Sequence, residues 1–247
     1  AAIKRLQETL PQRWANRSTA EFTQTDTVEI QGQRLRREQA VFELARWIES
    51  EPHMTDEEFD AALSALDAVL GSRVALPLRK AFVRLAESGC AVFNAGRTER
   101  AARLFGALAA ATETLQLTST ERDDVRNAVR ADQLDSRLLG KLVSDPKRYA
   151  EVLPVINYFA ELDPDCAIDS LESEPSREGR RFLLNLVEAH GAAALPSVLE
   201  RLTDEAAGAG PWYLARNLIF LLSRIDPPAE ADRREILKRI APYLSSN

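Results

Sequence analysis

Apolar residues recur every three to four positions along most of this chain, the spacing that places them on one face of an α-helix. Near the C-terminus the pattern occurs twice. Residues 210–226 (GPWYLARNLIFLLSRID) match a segment 36 positions earlier, with Arg216 aligned on Arg180. A short break and a second apolar helix follow each copy, at residues 193–202 and 233–244. The sequence therefore predicts pairs of helices that repeat along the chain.

Three helix pairs are predicted after Asp145, with Pro, Gly and Asp residues at their boundaries. They are residues 149–162 with 165–172, 177–190 with 193–203, and 211–225 with 230–244. Because stacked pairs stabilise one another through nearest-neighbour contacts, we expect removal of residues 210–247 to expose Leu195, Val198 and Leu202.

The N-terminal part of the chain predicts helices without a repeat period. Residues 33–145 are expected to form helical hairpins, one of which begins with a capping box between Thr55 and Glu58. Another helix is expected to begin with Ser119 or Thr120 as its N-cap.

The first 32 residues are predicted to form an N-terminal helix followed by a linker or extended arm. Residues 25–30 alternate as a β-strand does, but no second convincing strand is visible. An isolated strand would leave its backbone groups without hydrogen bonds.

Residues 146–247 resemble HEAT-type repeats. The resemblance lies in Arg180 and Arg216 near the start of the first helices, in the Leu-rich run behind each, and in the Gly or Asp-Pro that ends it; Leu153 replaces this Arg in the first pair. It implies an all-α fold, a right-handed α-solenoid of antiparallel helix pairs. HEAT-like repeats would form its C-terminal half and continue from the preceding helices.

Charge argues against nucleic acid as a partner. The net charge is −6. Residues 1–140 contain 19 basic and 21 acidic side chains, and residues 141–247 contain 13 and 17. A nucleic-acid binder normally concentrates positive charge, so only a local Arg stripe would remain for that role.

Other features indicate a cytoplasmic bacterial protein. Cys90 and Cys166 are predicted to be buried free thiols, which suits a reducing compartment. No signal peptide opens the chain, and the longest apolar run, residues 218–222, is too short to span a bilayer. The 27 Arg against 5 Lys suggest a GC-rich genome.

The two ends suggest a piece of a larger protein. Ala1 enters an amphipathic segment without an initiator Met. In the last helix Ile236, Ile240 and Leu244 form a broad apolar stripe, with Leu237 beside it, where a solenoid needs a polar cap. We expect the natural protein to continue and the isolated chain to self-associate through this helix.

No catalytic residue, cofactor or metal site is predicted. His53 and His190 each lack another His or Cys at ligand spacing. His190 is expected to be a cation at the C-terminal end of a helix, where the dipole favours positive charge.

Candidate contacts with another protein lie near the C-terminus. Trp212 and Tyr213 follow a flexible loop and are candidate anchors, although Trp212 is better interpreted as a lid over the preceding repeat. Arg216 either binds a partner or, as we prefer for both Arg180 and Arg216, bridges to the neighbouring loop, because an Arg repeated at the repeat junction is explained by stacking. Further contacts are expected on the second helices, which would line a concave face: Glu200, Arg201, Asp204, Lys238 and Arg239.

The leading hypothesis is a non-enzymatic protein-interaction scaffold or regulatory region of a larger bacterial protein. The alternative is an enzyme on a HEAT-like frame, similar to alkylpurine DNA glycosylases or bilin lyases. A glycosylase of that kind would need an aromatic and acidic cleft surrounded by positive charge. The three Trp, at 14, 47 and 212, are scattered and the charge is negative, so the scaffold is favoured.

Overall fold

Helices make up almost all of the part of the chain that the structure describes. The computed structural model describes residues 27–30, 33–50, 54–70, 78–206 and 212–244. The predicted all-α character is confirmed over these residues, apart from one short β-hairpin. The strands are β1 (Thr27–Ile30) and β2 (Gln33–Arg36). The helices are α1 (Arg37–Glu49), α2 (Asp56–Leu70), α3 (Leu78–Asn94), α4 (Thr98–Thr114), α5 (Ser119–Arg126), α6 (Ser136–Val143), α7 (Tyr149–Ile156), α8 (Pro164–Ser173), α9 (Arg177–Ala189), α10 (Leu195–Ala206), α11 (Trp212–Arg224) and α12 (Glu230–Leu244).

Capping boxes begin two of these helices. At α2 the Glu58 carboxylate accepts from the Thr55 amide at 2.8 Å, and Thr55 Oγ1 accepts from the Glu58 amide at 3.2 Å, as predicted. At α5 the same exchange joins Thr118 and Glu121. Thr118 is therefore the N-cap, and the prediction of Ser119 or Thr120 is wrong.

The β-hairpin corrects the prediction of a linker or extended arm. β1 pairs antiparallel with β2, with Thr27 opposite Arg36 and Ile30 opposite Gln33. The second strand, QRLR, was missed because it has a single apolar residue and carries two Arg, which is a weak strand signal. Residues 1–26, including the predicted N-terminal helix, lie outside the described residues.

The helices form two rows that pack against each other. In row A, α2 contacts α4, α4 contacts α7, α7 contacts α6, α6 contacts α9 and α9 contacts α11. In row B, α1 contacts α3 and α3 contacts α5, while α8 contacts α10 and α10 contacts α12. Between the rows, α1 packs on α2, α3 on α4, α8 on α9 and α10 on α11.

Arg126 joins the two parts of row B. From the end of α5 its guanidinium donates to the carbonyl oxygens of Asn157 and Tyr158 at 3.0 and 3.3 Å. It also donates to both carboxylate oxygens of Asp163, just before α8, at 2.9 and 3.1 Å. The two parts also share one cluster of buried apolar side chains, which extends from Ala40 to Ile236.

In the C-terminal part, the consecutive helices that pack closely against each other are not the predicted pairs. The predicted pairs were α7 with α8, α9 with α10 and α11 with α12. The chain bends by 110° between Arg177–Ala189 and Gly191–Leu202. Gly191, at this bend, has a φ of 58°, which glycine adopts without strain. The closest consecutive helices are instead α8 with α9 and α10 with α11.

None of the helices in the described part of the chain is long and apolar enough to span a bilayer alone. One strongly bent pair, Arg177–Ala189 with Gly191–Leu202, meets the same length and hydropathy test only when its two helices are counted together.

Candidate functional site

The residues predicted to contact a partner on α10 and α12 lie on adjacent helices of row B. They differ in how exposed their side chains are. Glu200 and Lys238 are exposed. Arg239 is partly exposed, and its Nε donates to Glu235 on the same helix at 2.6 Å. The side chain of Asp204 lies outside the described residues.

Arg201 is held between helices. Its guanidinium donates to the Glu172 carboxylate and lies 3.3 Å from Asp169 Oδ1, both on α8. Its side chain is 30% exposed. Arg201 therefore holds α10 against α8 through ion pairs. The sequence did not indicate this role in helix packing.

A groove of about 310 Å³ lies between α8 and α10, beside Arg201. Its lining includes three carboxylates, from Asp165, Asp169 and Glu200, together with Ile168 and Ser197. In sequence, α8 and α10 contain six acidic residues and one basic residue, Arg201. This part of row B is consequently an acidic surface.

Tyr213 on α11 and Tyr243 on α12 each hydrogen-bond to the backbone of an earlier helix. The Tyr213 hydroxyl donates to the carbonyl oxygen of Glu172 at 2.8 Å, and the Tyr243 hydroxyl donates to that of Leu202 at 3.0 Å. Tyr213 thereby joins α11 to the end of α8, and Tyr243 joins α12 to α10. The side chain of Trp212 lies outside the described residues, and its role as lid or anchor stays a prediction.

Arg180 contacts the loop that precedes its own helix, and a role in stacking one repeat on another stays a prediction. Its Nη1 donates to the carbonyl oxygens of Glu174 and Pro175, at 2.9 and 2.8 Å, in the loop before α9. Arg216, its counterpart on α11, is exposed and stays a candidate contact.

Helices α9 and α11 of row A run in the same direction. At the start of α11, Tyr213 contacts Glu172, in the last turn of α8, the helix that leads into the start of α9. At the end of α11, Arg224 Nη2 donates to Glu188, near the end of α9, at 3.0 Å. These two residues are 36 positions apart, the same offset as the sequence echo. Burial, together with the nearby Glu188 carboxylate, raises the pKa of Tyr149 to about 12.

A basic surface on row A was not predicted. Helices α6, α9 and α11 contain two acidic residues, Glu178 and Glu188, against seven basic ones: Arg137, Lys141, Arg177, Arg180, Arg181, Arg216 and Arg224. Charge summed over halves of the chain averages these helices with the acidic helices between them. Counting charges on alternate helices reveals this basic surface.

Apolar side chains lie on the same surface. Phe220 is 48% exposed and follows Arg216 by one helical turn, and Arg224 follows Phe220 by another. At the equivalent place on α9, Leu184 is half-buried and follows Arg181. We call the outward side of α6, α9 and α11 the basic face.

Part of the apolar stripe of the C-terminal helix is buried within the protein itself. Ile236 is 8% exposed, and Ile240 is partly buried against the core. Leu237 is 63% exposed, and the side chain of Leu244 lies outside the described residues. Self-association through this helix stays a prediction.

Two expectations about titratable groups are wrong. His190 ends α9 but is 7% exposed, with its Nε2 2.9 Å from the Leu162 carbonyl oxygen. Burial holds the pKa of His190 below its usual value, so it is not the predicted cation. Cys90 is buried, which raises its pKa to about 12, but Cys166 is exposed.

A second groove, of about 540 Å³, lies between α4 and α7 and contains Glu99, Arg103 and Glu151. Arg148 binds Glu151 through both carboxylate oxygens, at 2.7 and 2.9 Å, and Thr98 also donates to it. Hydrogen bonds from Arg148 first, and from Thr98, hold the pKa of Glu151 below its usual value. The network fixes a charged carboxylate between α4 and α7.

Within the described ranges, no cluster of three or more His, Cys, Asp or Glu has the arrangement of a metal site. Comparison of the chain with family models, with curated proteins and with solved structures found no match.

Proposed function

We propose that the protein is a non-enzymatic protein-interaction scaffold or regulatory region of a larger, cytoplasmic bacterial protein. Its two rows would form a right-handed α-solenoid, with HEAT-like repeats in the C-terminal half. The observation that carries the proposal is the parallel stacking of α9 and α11. Arg224 joins the ends of these two helices, and Tyr213 holds the start of α11 to the end of α8, which leads into α9.

Parallel stacking supports a binding role because it repeats one surface along the stack. Arg224 on α11 and Glu188 on α9, which are 36 positions apart, lie beside each other, and exposed side chains at the same offset would form a continuous face. Such extended faces bind partners by surface complementarity rather than by enclosing a small molecule. The half-exposed Phe220 and exposed Arg216 are residue types that dominate protein interfaces.

Affinity capture followed by reconstitution tests this proposal. The tagged chain is used to recover proteins from a lysate of its native host, and each candidate is then purified and titrated against the chain by calorimetry. We expect at least one protein to bind saturably with fixed stoichiometry. If none of the recovered proteins binds in purified form, the scaffold proposal is wrong.

A further inference from the structure

We propose that the basic face binds an acidic segment of a partner protein that also carries apolar side chains. This inference rests on the proposed scaffold function and adds the partner's chemistry and the surface that receives it.

The charge of the face is available to a partner. Arg137, Lys141, Arg177 and Arg181 are exposed, and their side chains have no hydrogen-bond or ion-pair partner among the residues that the structure describes. Of the two acidic residues, Glu188 is already paired with Arg224, and Glu178 is a single carboxylate beside four cations. Carboxylates of a partner would therefore meet unpaired guanidinium groups, which bind them in bidentate geometry.

Helix stability does not explain where these cations lie. Arg137 is in the first turn of α6, and Arg177 is the first residue of α9. The positive end of the helix dipole disfavours cations there and favours carboxylates. The placement costs the isolated chain stability, and the same dipole would strengthen binding of an acidic partner.

The apolar part of the face favours a protein over a nucleic acid. Phe220 is 48% exposed between Arg216 and Arg224, and the half-buried Leu184 occupies the equivalent position on α9. A phosphate backbone would gain little from these side chains. The acidic helices α8 and α10 pack directly against α9 and α11, and the net charge is −6, so a long polyanion would be repelled beyond the face.

A designed peptide tests the inference with a defined probe. The probe is a fluorescent helical peptide of about 20 residues, with Leu at positions i and i+4 and Glu on the flanking positions. One control peptide replaces Leu by Ser, and another replaces Glu by Lys. Binding is measured by fluorescence anisotropy at about 0.15 M and about 0.5 M salt, where exposed charges are increasingly screened.

Variants assign the binding to the face. We expect Arg181→Glu to weaken peptide binding about tenfold or more, and Phe220→Ser about fivefold. Arg79→Glu is the matched control, because Arg79 is likewise exposed but lies on α3 in row B. It should change affinity less than about twofold. Circular dichroism melting of each variant shows whether it folds as the parent does.

Several outcomes would overturn the inference. They are absence of saturable peptide binding, equal affinity for the Ser-substituted peptide, equal loss in Arg79→Glu, or tighter binding of a DNA duplex at the same salt. The scaffold proposal is judged separately. A captured protein that binds with unchanged affinity to Arg181→Glu would keep the scaffold and exclude this face.

Discussion

Gly89 on α3 allows a close approach to α4. A Cβ atom at this position would lie 2.8 Å from Phe105 Cζ, closer than carbon atoms pack. The Phe105 ring is in turn held by Tyr158 and Phe159, with ring centroids 4.9 and 5.3 Å away. The ring therefore has little freedom to move, and the small residue is a packing requirement.

We expect Gly89→Ala to destabilise the fold by about 1–3 kcal/mol, because the added methyl group overpacks the contact with Phe105. Gly106→Ala is the matched control within α4, since its Cβ would lie 3.9 Å from Pro154, an ordinary contact. There the higher helix propensity of Ala should leave stability unchanged or raise it by up to about 1 kcal/mol. Urea unfolding measures both, and equal effects would contradict the steric explanation.

His190 makes the stability of the protein depend on pH. Burial lowers its pKa from the usual value of 6.5, so the neutral ring contributes stability above pH 6.5 that is lost as the pH falls through the folded-state pKa. We expect His190→Gln to lose less stability than the parent between about pH 7 and pH 5. Urea unfolding at both pH values provides the comparison.

The titration itself can be observed. The chain has two His, so one substitution assigns both ring resonances in NMR spectra. The His190 resonance should titrate below pH 6.5; a midpoint above that value would show that the ring is charged in the folded state, and would contradict the account.

At the scale of helices, Arg126 links the end of α5 to the segment that precedes α8. Its side chain is 26% exposed and that of Asp163 is 34% exposed, so the pair is partly shielded from water. Arg130, one turn later, pairs with Asp132 and Glu161 but is 69% exposed.

We expect Arg126→Met to cost about 2–3 kcal/mol, since a shielded ion pair and two carbonyl hydrogen bonds are lost together. Arg130→Met should cost about 1 kcal/mol or less, because water screens its ion pairs. The free energies of unfolding in urea decide between them. Similar costs for the two variants would show that Arg126 is no more than a surface ion pair.

Local sequence signals predicted most helix boundaries and missed the rest for physical reasons. The Thr55 capping box was found because both partners lie within one turn. The N-cap of α5 was misplaced by one residue or two, since three successive hydroxyl residues, 118–120, compete for that role. β2 was missed because a strand is stabilised by its partner, and its own charged residues give little indication.

At the scale of the whole molecule, helices α11 and α12 cover α10. Leu195, Val198 and Leu202 on α10 are 4%, 0% and 0% exposed, and α10 contacts both later helices. Removing residues 210–247 would uncover these side chains, each of which contributes about 1.5–3 kcal/mol by burial.

We therefore expect the truncated chain to melt at a lower temperature or to aggregate, as measured by differential scanning calorimetry and light scattering. The coupling is between neighbouring units, so the loss should spread from α10 towards α8. A truncated form that stays monodisperse with an unchanged melting temperature would show that α11 and α12 fold as an independent appendage.

The sequence by itself determined the features that depend on neighbours along the chain. These are the helical period, the breaks at Pro and Gly, and the echo between Arg180 and Arg216. Only the tertiary structure decided which helices pack together, that Cys166 is exposed while His190 is buried, and that Arg201 fastens two helices. The basic face belongs to the second group, because its charges come from helices separated in sequence by acidic ones and become one surface only when alternate helices stack.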